Sequence, residues 1–106
     1  MRKTTPIQVT LAAVVCLASA VSFAQSGGAT YQAKCQSCHG AAGVPNPAMA
    51  KAMGVKPASD PSVKSQSEAQ MIATTTNGKG KMPAYKGKLS DAEIKGAVEF
   101  FRTFAK

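Results

Sequence analysis

Residues 35–39 read Cys35-Gln36-Ser37-Cys38-His39. Cys-x-x-Cys-His is the attachment motif of c-type haem. The spacing has a physical reason. Two thiols about one helical turn apart can add to vinyl groups on neighbouring edges of one macrocycle. An imidazole directly after them is then held under the iron. Three other readings compete. A redox-active Cys pair usually follows a strand in a βαβ unit, and no strand pattern is visible here. A zinc knuckle needs four protein ligands, and only Cys35, Cys38 and His39 are on offer. The third is a chance match. The motif predicts one covalently bound haem c, with thioethers from Cys35 and Cys38 and His39 as an axial ligand.

His39 is the only histidine, which excludes a second imidazole on the iron. Thioether sulfur is a suitable partner, particularly for ferrous iron. Beyond the N-terminal stretch the chain offers Met49, Met53, Met71 and Met82. Met71 falls within a helical pattern and reads as core. Met49 and Met53 are four apart on a short helix, where a core or haem-edge role is the default. Met82 lies in the loop Gly78-Lys79-Gly80-Lys81-Met82-Pro83-Ala84-Tyr85. A glycine-rich loop can approach a haem face closely, and Pro83 stiffens it. Met82 is the predicted second axial ligand.

Upstream, the chain begins with Arg2 and Lys3, followed by an apolar run from Val9 to about Val21. Small residues then stand at Ser22 and Ala24. That is the layout of a secretory signal peptide with cleavage after Ala24. The run is short for a membrane span, which needs about 20 residues. Cys16 lies within it and lacks the small-residue approach of a lipid-attachment site, so it reads as a small hydrophobe. The domains predicted are a leader over 1–24 and one folded unit over 25–106. The 106 residues carry 13 Lys+Arg against 5 Asp+Glu. Removal of Arg2 and Lys3 leaves 11 basic residues and a charge of +6. A unit this small benefits from a staple such as a cofactor. It is too short for a nucleotide-binding α/β domain or a barrel enzyme.

The rest of the pattern is helical. Gln25-Ser26-Gly27-Gly28 reads as a flexible start, with a first helix from about Ala29 into the Cys region. Residues 40–47 hold two Gly and two Pro and read as a fixed loop. Ala48–Met53 can form one or two turns ended by Gly54, and 54–64 reads as loop. Ser67 with Gln70 fits a helix start, and Asn77-Gly78 a helix stop. The clearest helix opens with Ser90-Asp91-Ala92-Glu93, a capping box with acids near the N-terminal dipole. Ile94, Ala97, Val98, Phe101 and Phe104 or Ala105 share one face. The fold class is all-α, with three to four short helices and long loops.

These features resemble the small class I c-type cytochromes, over nearly all of residues 25–106. The resemblance rests on Cys35–Gly40, on Asn77-Gly78 with Lys81-Met82-Pro83-Ala84-Tyr85, and on a last helix opening at Leu89-Ser90-Asp91-Ala92-Glu93-Ile94. It implies a small cytochrome c fold wrapped around one haem. It also implies a first and a last helix paired through Gly27 and Tyr31, with Phe100 or Phe101 as partner. The family usually places a Pro after the His, whose carbonyl accepts the His Nδ1 proton and raises its basicity. Pro45 and Pro47 are both candidates, with Pro47 preferred. The family's frequent Trp is absent, so Tyr85, Phe101 and aliphatic residues must close the pocket.

The function expected is electron transfer in the periplasm and not catalysis, because two axial ligands leave substrate no open position. Met ligation and burial both raise the reduction potential. Lys79, Lys81, Lys86 and Lys88 surround Met82. The resemblance places that loop near the exposed haem edge, where a basic ring steers the protein toward an acidic redox partner. It implies a cytochrome bc-type donor and a terminal oxidase, reductase or photosynthetic reaction centre as acceptor. A nucleic-acid role is not expected, nor membrane insertion after cleavage, and a monomer is. The alternatives are a ligand-binding or peroxidase-like haem protein, and a haem subunit of a larger redox enzyme.

Overall fold

The computed structural model describes residues 23–105, with side chains from residue 27 onward. The predicted leader lies outside these residues, apart from Phe23 and Ala24. Six helical segments follow one another: α1 (Phe23–Lys34), α2 (Gln36–His39), α3 (Pro47–Met53), α4 (Pro61–Lys64), α5 (Glu68–Asn77) and α6 (Asp91–Arg102). Among the described residues the only β pairing is two isolated bridges, Lys79 with Met82 and Lys86 with Leu89. The all-α expectation holds. The helix count is higher because α2 and α4 are single turns of four residues. No helix of the described residues is long and apolar enough to cross a membrane.

Helix α6 organises the molecule. Its capping box is present in both directions: the Glu93 N–H donates to Ser90 Oγ at 3.1 Å, and the Ser90 N–H donates to Glu93 Oε1 at 3.0 Å. Its inner face buries Ile94, Ala97 and Val98. That face packs chiefly on α1 and next on α5. Met71 of α5 joins Ile94 and Val98 in the core, with Val63, Ile72, Tyr85, Leu89 and Phe101 packed around them. Met71 is thus a core residue, as its helical position predicts. At the far end of α6, Arg102 Nη1 donates to the Gln66 carbonyl at 2.9 Å and fixes the approach to α5.

Helix α1 starts earlier than its glycines suggest. Gln25–Gly28, expected as a flexible start, is helical. The reason is tertiary. Gly27 lies so close to α6 that a Cβ there would land on the Gly96 carbonyl, and a Cβ on Gly28 would meet the Phe100 ring at 3.2 Å. Glycine weakens an isolated helix, yet here it lets two backbones touch. Tyr31, 1% exposed, fills the next turn of the crossing. Its ring centroid lies 5.3 Å from Phe100, 6.2 Å from Phe101 and 5.6 Å from Phe104. The expected Gly27/Tyr31 pairing with the last helix is therefore present, with both Phe100 and Phe101 taking part.

The stretch 54–64 is not all loop. Asp60 Oδ1 accepts from the Ser62 N–H at 2.9 Å and caps α4, with Pro61 at its first position. Asp-Pro is a start signal of the kind read at other helices. Before it, Ala58 is buried, and its N–H donates to the Gly43 carbonyl at 2.8 Å. That bond joins the 54–60 segment to the loop after His39.

Candidate functional site

The Cys pair sits on one continuous helical turn. Cys35 separates α1 from α2, and its N–H still donates to the Tyr31 carbonyl at 2.9 Å. Its own carbonyl accepts from Cys38 N–H at 3.2 Å and His39 N–H at 2.9 Å. Cys35 and Cys38 are free and half-buried. Burial, and then the neighbouring Cys38, push the Cys35 thiol up to about 11.

Tyr31 supports this turn from below. Its hydroxyl donates to the Gly40 carbonyl at 2.6 Å. Burial first and Cys35 second raise that hydroxyl to about 12, with the Gly43 backbone acting in the opposite direction. Gly40 ends α2 with φ +83, and a Cβ there would collide with the Val44 carbonyl. The chain can therefore turn sharply after His39 only with glycine at this position.

His39 is positioned by packing. Its ring meets the edge of Phe101 at 5.2 Å between centroids. Burial lowers its pKa, which favours the neutral imidazole that a metal requires. Its Nδ1 is buried with no hydrogen-bond partner. Pro47, the preferred partner for that atom, is exposed at the first position of α3, whereas Pro45 is buried. No hydrogen bond joins His39 Nδ1 to either carbonyl.

The Met82 loop folds as a small flap on the end of α5. Gly78 N–H donates to Thr74 at 2.8 Å, Tyr85 N–H to Thr75 at 3.0 Å and Lys86 N–H to Thr76 at 3.1 Å, each to the carbonyl. Between these anchors, Lys79 and Met82 exchange two backbone bonds of 3.1 and 3.0 Å. The two-residue turn between them has φ +57 at Gly80, a conformation that glycine adopts without strain. Met82 is half-buried. Tyr85 reaches back across the molecule, and its hydroxyl donates to the Lys34 carbonyl at 2.9 Å. It lies close enough to the Cys pair that, after burial, Cys35 and then Cys38 raise its pKa. The structure thus brings Tyr85 to the Cys35–His39 turn. On the flap's other side, Lys81 Nζ donates to the Ala52 carbonyl at the end of α3, at 2.6 Å. Sequence reading missed this contact, since nothing local links residues 29 apart.

These side chains fit a haem and do not fit the competing sites. Among the described residues no group of three or more His, Cys, Asp or Glu is arranged to hold a metal ion. A zinc knuckle therefore has no fourth ligand. Two free thiols one turn apart, beside a half-buried imidazole whose Nδ1 is buried and orphaned, are the donors that a haem takes.

Comparison with known proteins agrees. Residues 22–101 match a family described as cytochrome C oxidase, cbb3-type, subunit III. Cytochrome c6 of Leptolyngbya boryana is 42% identical over 75 residues, which cover 71% of this chain and 85% of that protein. The chain belongs to the small monohaem class I c-type cytochromes. The solved structure of the KustC0563 c-type cytochrome superposes on this cytochrome with a TM-score of 0.68 at 28% identity. The alignment covers 76% of this chain and 98% of that one. Membership brings a covalently bound haem c and an electron-carrier role.

Proposed function

We propose that this cytochrome carries single electrons in the periplasm between larger redox complexes, on a haem ligated by His39 and Met82. The observation that carries the reading is His39, a half-buried imidazole whose Nδ1 is buried without a partner, directly after two free thiols on one helical turn. Cys35 and Cys38 would hold the haem through two thioethers, formed by addition of each S–H across a vinyl group, which needs no oxidant. The haem supplies a one-electron ferric/ferrous couple at nearly constant structure. The residues do the rest. Tyr31 and Gly40 hold the Cys35–His39 turn rigid. Phe101 packs against the His39 ring. Tyr85 closes the pocket beside the Cys pair. The orphaned His39 Nδ1 calls for a carbonyl, with Pro45, which is buried, and Pro47, which is exposed, as the candidates.

Residues 1–24 support export, because they read as a signal peptide. Lys79, Lys81, Lys86 and Lys88 are exposed around the Met82 flap. They would steer the protein toward acidic partners, of the cytochrome bc type as donor and an oxidase, reductase or reaction centre as acceptor. The encounter is then weak, fast and salt-sensitive.

The test is an absorption spectrum of the exported protein in both oxidation states. A sharp reduced α-band with a weak far-red ferric band is expected. In Met82→Ala the far-red band should vanish while the haem stays attached. Covalent haem without that band in the natural protein would remove Met82 from the iron and favour a ligand-binding protein. The matching family's name suggests a second reading, a haem subunit of an oxidase. Co-purification with a membrane complex through stringent washing would favour it.

A further inference from the structure

The Met82 loop is built as a flap with a single pin at its tip. Both its ends are tied to the last turn of α5, through Gly78 to Thr74 and through Tyr85 and Lys86 to Thr75 and Thr76. Its tip carries Gly80-Lys81, and Met82 is locked to Lys79 by two backbone bonds. Residues 79–82 must therefore move together. Among the described residues, one side-chain hydrogen bond ties this tip to another element, from Lys81 Nζ to the Ala52 carbonyl. That carbonyl belongs to the last turn of α3, where carbonyls lack helical partners and the dipole favours a cation. At 2.6 Å the bond is short and charge-assisted. Tyr85 holds the flap's base independently, through the Lys34 carbonyl.

We propose that Lys81 is a positioning residue for Met82: its bond to Ala52 latches the flap shut over the haem face and limits how often Met82 leaves the iron. This rests on Met82 being the axial ligand. Lys81 thus has a task that Lys79, Lys86 and Lys88 do not share, although all four are exposed.

The test uses the ferric holoprotein with imidazole as the competing ligand. At saturating imidazole the displacement rate reports flap opening, read from the loss of the far-red band. Lys81→Ala should raise that limiting rate about threefold to tenfold, the range of a bond worth up to about 1.4 kcal/mol. Lys81→Arg keeps a cationic donor and should recover most of the natural rate. Lys51→Ala removes an exposed charge from the same helix α3 and should leave the rate unchanged. A Lys81→Ala rate equal to the natural one overturns the latch, as does an equal rise in Lys51→Ala. A natural protein with no far-red band overturns instead the assignment of Met82 to the iron, so the two failures are distinguishable.

Discussion

At the scale of single residues, the site depends on how tightly the chain turns after His39. Gly40 has φ +83, and its missing Cβ makes room for the Val44 carbonyl. Gly40→Ala puts a Cβ at φ +83, ψ 157, a region essentially reserved for glycine, at a cost of about 1–3 kcal/mol, to which the collision adds more. We expect a lower denaturant midpoint and incomplete haem attachment, measured as haem absorbance per polypeptide. Tyr31→Phe is a milder change at the same turn. It keeps the ring among Phe100, Phe101 and Phe104 and removes only the bond to the Gly40 carbonyl. A loss of about 1 kcal/mol with full haem loading is expected. Equal effects from the two variants would place the importance of this turn in the hydrogen bond and not in the backbone. The Cys35–His39 motif was legible in the sequence because covalent chemistry fixes both residue types and spacing. Which proline carbonyl serves His39 was not, and in the structure its Nδ1 bonds to neither. Pro45 and Pro47 are two residues apart, and only the start of α3 at Asn46, whose Oδ1 accepts from the Met49 N–H at 2.8 Å, turns Pro47 outward to solvent.

At the scale of elements, α6 could be read from its own residues, and of α1 only the part from Ala29 onward could. The Ser90/Glu93 box and the spacing of Ile94, Ala97 and Val98 are local signals. The helical state of Gln25–Gly28 depends on Gly96, far along the chain, so propensity pointed the wrong way. Gly27→Ala tests that contact. The added methyl meets backbone, which cannot rotate aside, and overpacking of this kind costs about 1–3 kcal/mol. The cap of α6 makes a separate prediction about pH. The Ser90 backbone N–H, and then its side chain, hold the Glu93 carboxyl below the ordinary carboxylate range. Its folded pKa lies below the unfolded one. The cap therefore stabilises the protein above the unfolded pKa, and the contribution fades as pH falls through the folded pKa. Glu93→Gln keeps an acceptor at this position and does not titrate. The natural protein should have the higher thermal midpoint near neutral pH, and the gap should close in acid. A gap independent of pH would mean that the carboxylate charge does not matter to the cap.

At the scale of the whole molecule, charge is unevenly arranged along the fold. The described residues 23–59 and 69–90 contain no acid, and the five acids are Asp60, Glu68, Asp91, Glu93 and Glu99. The segments that build the Cys35–His39 turn, α3 and the Met82 flap are thus basic or neutral, while the acids cap or open α4, α5 and α6 or, as Glu99, lie exposed on α6. A charge distribution like this orients a protein in the field of a partner before contact. The net charge alone would speed encounter with any acidic surface, whereas an oriented one favours approach by the flap. Reversal of two charges separates these cases. The bimolecular electron-transfer rate with an acidic redox partner should fall steeply as salt is raised, since a Debye length of about 10 Å at 0.1 M screens exposed lysines. Lys79→Glu with Lys86→Glu should lower the low-salt rate by at least about tenfold, within the range that steering supplies, and flatten the salt dependence. Lys64→Glu with Lys95→Glu changes net charge equally, but on α4 and α6 beside acids. It should have a clearly smaller effect. If the two double variants slow transfer to the same extent, net charge and not the flap face guides the encounter.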